Sequence, residues 1–205
     1  MEFAPGGRES ARSTCLHGGQ GFRIDVQLDP ASILSELGKA AKEKAHPFRW
    51  PVLTTVDAAR QPAARIVVLR AFADPVATVY SDARTDKVAQ LRSNPEAGLL
   101  FFDRDRKLQV RAKGVASLHH QDAVAREHWD SLPPARHADY QSAADPGTEW
   151  TEAGARLDPA WRDRNFTVLR ITLAFLDVLR LSREEHLRYQ YRHSGGQWSQ
   201  KQVAP

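Results

Sequence analysis

The chain has little of several features that would place it in a special class of protein. Its 205 residues contain one cysteine, Cys15, so no intramolecular disulfide can form, which is typical of a reducing cytoplasm. No apolar run approaches the roughly 20 residues that span a bilayer; the longest, 166–181, is interrupted by three charged residues. The first residues are polar and lack the apolar stretch of a secretory signal. We therefore expect a cytoplasmic protein with no membrane partner.

Long runs of one charge sign are also absent. The formal net charge is +4, but the arginines alternate with acidic residues, as in 103–107 and 162–164. Such a modest positive excess suits a small anionic ligand at least as well as DNA. The pair His119-His120 has no second cluster of metal-ligand spacing to accompany it. We expect neither a nucleic-acid partner nor a metal site.

Apolar periodicity predicts one helix, then mainly strands. A flexible arm is expected over 1–28, and a helix capped by Asp29 or Ser32 should follow it up to about His46. Short β-branched or alternating segments predict eight strands, at 52–56, 64–72, 76–81, 97–102, 108–118, 166–181, 187–192 and 198–203. Two more helices are predicted at 84–93 and 121–129.

This order of elements selects a fold class. Strands and helices do not alternate as in βαβ units, so a doubly wound parallel sheet is disfavoured. Many strands with short turns and a few peripheral helices favour an antiparallel β-barrel with the helices packed outside it. We predict one mainly β domain over 29–205.

The segment 65–70 contains two arginines within an otherwise apolar strand. On a strand, Arg65 and Arg70 point to opposite faces. An arginine buried in such a strand is costly without a counter-anion. Either each arginine reaches solvent at a strand end, or they meet an anionic ligand.

The next strand leads directly into a predicted helix start. Ser81 and Thr85 supply hydroxyls there, Lys87 supplies an ammonium, and the free backbone N–H groups of a helix start favour an anion. A simple N-cap would also explain Ser81 or Thr85. It would not explain the nearby cluster of cations, which comprises Arg65, Arg70, Arg84 and Lys87. A bound phosphate would explain that cluster.

These motifs, taken in order, resemble the pyridoxamine 5'-phosphate oxidase superfamily. They are Arg-x-Val-x-Leu-Arg at 65–70, Tyr-Ser at 80–81, Lys87, Gln-Leu-x-x-Asn-Pro at 90–95 and Gln-Val-x-x-x-Gly at 109–114. The C-terminal segment also resembles that family's closing hairpin, with His186-Leu187-Arg188, Tyr191, Trp198 and Val203-Ala204-Pro205. The resemblance covers about residues 45–205, and residues 120–165 align poorly.

The resemblance implies an antiparallel split β-barrel that forms a homodimer and binds flavin mononucleotide (FMN) at the subunit interface. It implies that the FMN phosphate is held by Arg65, Arg70, Ser81, Thr85 and Lys87. Tyr80 and the backbone of Ile66, Val67 and Val68 would lie along the flavin. Gln109 and Arg188 would reach the flavin ring from the partner subunit, and Gln141 and Ser142 match a further family contact. Asp86 stands where the family commonly has a phosphate-binding arginine, which weakens the site; Arg84 is placed to compensate.

The substrate side departs from the family. The family's Arg-Leu-His near the C-terminus reads Glu184-Glu185-His186, so the histidine is present and the arginine is replaced by a carboxylate. That carboxylate would repel a phosphorylated substrate. We therefore expect FMN binding to be retained and vitamin B6 oxidation to be weak or absent.

The leading hypothesis is an FMN-dependent oxidoreductase acting on a small organic substrate, with His186 and Arg188 nearest to that substrate. The flavin would carry the redox chemistry, and the protein would supply positioning and electrostatics. Two alternatives remain open. One is a flavin carrier or sensor without turnover, and the other is a superfamily member that binds haem or a deazaflavin instead of FMN.

Overall fold

The protein structure is a computed structural model that describes residues 28–152, 156–183 and 185–205. Of the predicted N-terminal arm, residues 1–27 lie outside the described residues, as does Glu184. Leu28 packs against the hydrophobic core, and its carbonyl accepts a hydrogen bond from the Tyr191 hydroxyl.

The described chain forms three α-helices and nine strands. The helices are α1 (Pro30–Lys42), α2 (Asp86–Ser93) and α3 (Ala123–Asp130). The strands are β1 (Val52–Val56), β2 (Pro62–Ile66), β3 (Leu69–Ala73), β4 (Val76–Asp82), β5 (Glu96–Asp103), β6 (Leu108–His120), β7 (Phe166–Arg180), β8 (Leu187–Ser194) and β9 (Gln197–Val203). Short 3₁₀ turns occur at Pro47–Arg49, Pro134–Tyr140 and Pro159–Trp161. The longest of the described helices, α1, has 13 residues, so none of them could span a bilayer.

Helix α1 begins where its cap predicts and ends earlier than expected. The carboxylate of Asp29 accepts a hydrogen bond from the Ser32 backbone N–H at 3.0 Å, which satisfies one of the free donors of the first turn. The helix ends at Lys42 instead of His46. The Arg49 guanidinium donates to the carbonyls of Ala40 and Ala41 and so satisfies the last turn from outside the helix.

All strand pairs are antiparallel, and they form one sheet in the order β2-β1-β5-β6-β7-β4-β3. The two ends of this order are joined by only two residues, Val67 and Val68, so the sheet curves back on itself as a barrel. Strand β7 divides one of its edges between two partners. Residues 166–172 pair with β4, whereas residues 175–180 pair with β8 of the terminal hairpin. The antiparallel split barrel predicted from the sequence is confirmed.

The single strand expected at 64–72 is wrong, because the chain forms β2 and β3 there with a break at Val67 and Val68. The Val67 backbone N–H donates to the Pro51 carbonyl at 2.9 Å, outside the strand ladder. The register of β3 against β4 then shifts between Leu69 and Ala71, which leaves Arg70 in a bulge. The break moves the chain from one end of the sheet order to the other, and the two arginines of this segment thereby lie on different strands.

The sheet has one covered face and one open face. The covered face holds the main core, with fully buried side chains that include Ile33, Leu37, Leu53, Leu99 and Leu173. Side chains alternate along each strand, so the neighbours of the three strand residues, Leu53, Leu99 and Leu173, point outward. The open face carries exposed apolar side chains at Ile66 (66% exposed), Phe102 (53%) and Val115 (46%). Residues that the sequence predicts for the site lie on both faces.

Candidate functional site

Arg65 lies on the covered face of β2, where it is held by neutral oxygens. It pairs across the ladder with Leu53 of β1. Its guanidinium donates to the Thr55 hydroxyl at 2.5 Å and to the Gln90 amide oxygen at 3.0 Å. Gln90 is on α2, so the arginine joins the barrel wall to the helix. Each of these acceptors is uncharged, and the positive charge of Arg65 is therefore not neutralised by its hydrogen bonds.

Lys87, in the first turn of α2, meets the end of β4. Its ammonium donates to the Ser81 hydroxyl at 3.2 Å, and Ser81 is 3.1 Å from the Thr85 hydroxyl. Thr85 occupies the N-cap position of α2, yet its side chain makes no cap bond and donates to the Asp82 carbonyl at 2.7 Å. The side chains of Ser81 and Thr85 therefore do not cap the N-terminus of α2. The first N–H groups of α2 lack a side-chain cap.

The charges of Arg65 and Lys87 lie close enough to affect each other. Burial lowers the pKa of Lys87, and the neighbouring positive charge of Arg65 lowers it further. Burial also lowers the pKa of Arg65, and the carboxylate of Asp86 acts in the opposite direction. Among the described residues, no carboxylate forms an ion pair with either cation. We call the group Arg65, Ser81, Thr85 and Lys87 the cation cluster.

The cation cluster fits a phosphate group in its chemistry. Two partly buried cations that repel each other are stabilised by an anion placed between them. Hydroxyl groups and the uncapped N–H groups of α2 supply further donors. Two carboxylates oppose this, since Asp86 lies near both cations and Asp82 near Lys87. On balance the donor set is that of an anion site.

Arg70 belongs to a second group, beside Tyr80 and not within the cation cluster. Its guanidinium lies 5.5 Å from the centre of the Tyr80 ring. The Tyr80 hydroxyl is 2.9 Å from His128 Nδ1, and burial lowers the pKa of that histidine. The Nε atom of Arg70 is buried without a hydrogen-bond partner among the described residues, and Tyr140 also lies close to this arginine. An unsatisfied donor of this kind is costly unless a ligand or water accepts from it.

Arg84 does not act as the expected compensation for Asp86. Its guanidinium forms ion pairs with Asp82 at 2.7 Å and Asp145 at 2.9 Å, and it donates to the Ser142 carbonyl at 3.0 Å. Two carboxylates therefore already balance its charge. The Arg84 side chain thereby ties Ser142 to the loop between β4 and α2. Gln141, the residue before it, is buried.

Gln109 and Arg188 lie on the open face of the sheet, opposite the face that carries Arg65. The ladder places Gln109 beside Leu179, and Leu179 beside Arg188. Gln109 also pairs with the exposed Phe102. Within one chain, these two side chains do not join the cation cluster. His186, in the loop before β8, accepts a hydrogen bond from the Ser182 backbone N–H at 3.2 Å.

Three residues that hold candidate site residues were not assigned a role from the sequence. Thr55 and Gln90 position Arg65, and Asp177 accepts two hydrogen bonds from Arg188 at 3.0 and 2.9 Å. Gln90 falls within a recognised motif, but a strand–helix contact cannot be read from spacing. Asp177 did carry a signal, because it interrupts the longest apolar run of the chain with a carboxylate.

No group of three or more His, Cys, Asp or Glu side chains within the described ranges could hold a metal ion.

Comparison with known proteins shows which proteins this chain is similar to. Residues 31–120 match the model of the pyridoxamine 5'-phosphate oxidase FMN-binding domain. A pyridoxine/pyridoxamine 5'-phosphate oxidase of Caulobacter vibrioides is 25% identical over 193 residues, which cover 86% of this chain and 85% of the relative. The corresponding oxidase of Deinococcus deserti is 33% identical over 127 residues, 59% of each chain.

Two solved structures share the fold. One is a pyridoxamine 5'-phosphate oxidase-related, FMN-binding protein from Nostoc punctiforme, with a TM-score of 0.72 and 22% identity, covering 87% of this chain and 100% of its own. The other is PhzG from Burkholderia lata, solved with tetrahydrophenazine-1-carboxylic acid, with a TM-score of 0.70 and 18% identity. It covers 88% of this chain and 95% of its own.

Proposed function

We propose that this chain is an FMN-dependent oxidoreductase of the pyridoxamine 5'-phosphate oxidase-like superfamily, because residues 31–120 match that family's FMN-binding domain and the chain shares its split-barrel fold. Its substrate is a small organic molecule other than a B6 phosphate ester. The protein acts as a homodimer in the cytoplasm.

The cation cluster carries this proposal. Arg65 and Lys87 are held by Gln90, Thr55 and Ser81, all neutral, so both charges remain for the FMN phosphate. Preorganised cations that already have their side chains fixed lose little entropy when the anion binds. Arg70 and Tyr80 lie together beside β4, outside the cation cluster, and supply further contacts to the cofactor. Gln141, Ser142 and the backbone of Ile66, Val67 and Val68 complete the proposed contacts.

The open face supports a homodimer in which each subunit completes the other's site. Ile66, Phe102 and Val115 expose apolar surface on this face, which is unfavourable in water and is removed by self-association. Gln109 and Arg188 lie on the same face and on the side opposite to Arg65. An isologous contact through this face would carry both residues toward the partner's flavin.

FMN, when bound, supplies hydride transfer at its ring, and the chain's own residues hold the substrate. His186 Nδ1 accepts a backbone hydrogen bond, so the proton of the neutral imidazole lies on Nε2, where it can be donated to the substrate. The Arg188 guanidinium has five N–H donors and uses two on Asp177. Its remaining donors orient an electron-rich group of the substrate.

The visible spectrum of the purified protein tests the proposal. A flavin spectrum in the isolated protein, followed by bleaching with a reducing substrate and recovery in air, supports the oxidoreductase. A flavin spectrum that neither NADPH nor any organic substrate changes would instead favour a flavin carrier or sensor. A haem or deazaflavin spectrum would contradict the choice of FMN.

A further inference from the structure

Asp177 is a nearly buried carboxylate on the open face that gathers four donors. Arg188 donates from Nε to Oδ1 at 3.0 Å and from Nη2 to Oδ2 at 2.9 Å, which is a bidentate pair. Arg111 Nη2 donates at 2.8 Å and Gln190 Nε2 at 3.3 Å. The side chain of Asp177 is 4% exposed, whereas those of Arg111 and Arg188 are 50% and 27% exposed. One buried anion thus holds two guanidinium groups that both face outward.

The ionised state of Asp177 is favoured by these contacts. Burial by itself raises the pKa of a carboxyl, but hydrogen bonds from Arg188 and Gln190 and the charge of Arg111 hold the pKa of Asp177 below its usual range. The pair of arginines and one aspartate leaves a net positive charge on this part of the face.

The arrangement is not needed to hold the strands together. Strand β7 is already paired along both edges here, to β6 on one side and to β8 on the other. Buried ion pairs are weak contributors to stability, since desolvation offsets much of the attraction. A role in orienting the arginines therefore accounts for the contacts better than a role in folding.

We propose that Asp177 is a positioning residue that fixes the Arg188 guanidinium, with Arg111 tied to the same carboxylate, in the orientation needed by the flavin site of the partner subunit. This inference rests on the proposed function. The bidentate pair sets the plane of the Arg188 guanidinium and leaves its other N–H groups directed away from Asp177.

The first test needs no flavin. Relaxation of the arginine ¹⁵Nε–H signals in the apoprotein should show an ordered Arg188 in the wild type and a mobile one in Asp177→Asn. Arg192, which stacks at 5.0 Å on the Phe175 ring, is the internal control and should keep its mobility in both proteins. An Arg188 side chain that is equally ordered in the variant overturns the proposal, whether or not FMN binds.

The second test is a double-mutant cycle on the FMN dissociation constant. Asp177→Asn should weaken FMN binding by about 10-fold to 100-fold, the range for a lost hydrogen bond to a charged group. It should also alter the visible circular dichroism of bound FMN. In an Arg188→Gln background the same substitution should have no further effect. An equal loss in both backgrounds, or no loss at all, refutes the positioning role. A wild-type protein that binds no FMN refutes the proposed function instead, and the relaxation experiment still decides what Asp177 does to Arg188.

Discussion

Arg65 of β2 and Gln90 of α2 are joined through a single neutral oxygen, the Gln90 Oε1, at 3.0 Å from Arg65 Nη2. The same oxygen accepts a hydrogen bond from the Thr55 hydroxyl at 2.6 Å. The contact fixes the direction of the guanidinium without balancing its charge. That combination of fixed geometry and retained charge is what an anion site requires.

Replacing Gln90 by Glu tests whether the retained charge matters. The near-isosteric carboxylate keeps the acceptor for Arg65 and Thr55 but neutralises the arginine. We expect FMN to bind roughly 10-fold or more weakly, because one charge-assisted contact to the phosphate is lost, while the melting temperature does not fall. Fluorescence quenching of FMN on titration with apoprotein measures the affinity.

The matched control is Gln202→Glu, which makes the same change of net charge at an exposed position of β9. FMN affinity that falls equally in both variants would mean that only the overall charge of the protein matters. If FMN affinity is unchanged in Gln90→Glu, Arg65 does not contact the FMN phosphate.

The pH dependence of FMN binding should report Lys87. Burial and the neighbouring Arg65 lower the pKa of Lys87, so its ammonium loses its proton below the usual lysine range. Since the phosphate binds the protonated form, FMN affinity should decrease as the pH rises through that lowered pKa. Lys87→Arg, which stays charged, should keep its affinity over the same alkaline interval. Parallel pH profiles for the two proteins would contradict this assignment.

If the exposed apolar side chains of the open face form the dimer contact, a charged residue placed among them should disrupt the dimer. Phe102 is 53% exposed and pairs with Gln109, so a glutamate at this position places a charge in the proposed contact. Phe102→Glu should sediment as a monomer and retain less FMN than the wild type, with no change in far-ultraviolet circular dichroism. Trp150→Glu, at a residue that is 75% exposed in the loop after Ser142, should remain dimeric. A dimeric Phe102→Glu would place the interface elsewhere.

Turnover of pyridoxine 5'-phosphate should be slow. Glu184, which lies outside the described residues, and Glu185 place carboxylates before His186, and like charges at about 4 Å repel by roughly 1–4 kcal/mol depending on solvation. We expect a rate below about 1 per second, the lower end of ordinary enzymes. Glu184→Arg should raise that rate if repulsion is the cause. Oxidase assays that follow hydrogen peroxide measure both proteins.

Much of the barrel could be predicted because apolar residues alternate along its strands and turn residues mark the strand ends. Strands β1, β4, β5, β7 and the terminal hairpin agree within two residues with the expected ranges, since alternation and turn residues mark them locally. The errors arose where distant contacts decide. The end of α1 depends on Arg49 from outside the helix, and the break at Val67 depends on the Pro51 carbonyl.

The sequence predicted which residues belong to the candidate site better than it predicted which of them lie together. The motifs pointed to Arg65, Ser81 and Lys87, and the structure brings these three together. Arg70 was expected beside them but lies with Tyr80, because the bulge in β3 turns it to a different part of the barrel wall. Arg84 was expected to be available, and its pairing with Asp82 and Asp145 depends on a loop that carries little sequence pattern.

If the cation cluster holds the FMN phosphate, charge reversal at Arg65 and Lys87 should abolish FMN binding. FMN content per subunit should be measured by visible absorbance in the wild type and in the double variant Arg65→Glu, Lys87→Glu, each saturated with FMN and then gel-filtered. We expect a yellow wild type and a colourless variant that elutes at the same volume. If the variant has the same size but keeps its full flavin content, the cation cluster does not hold the FMN phosphate.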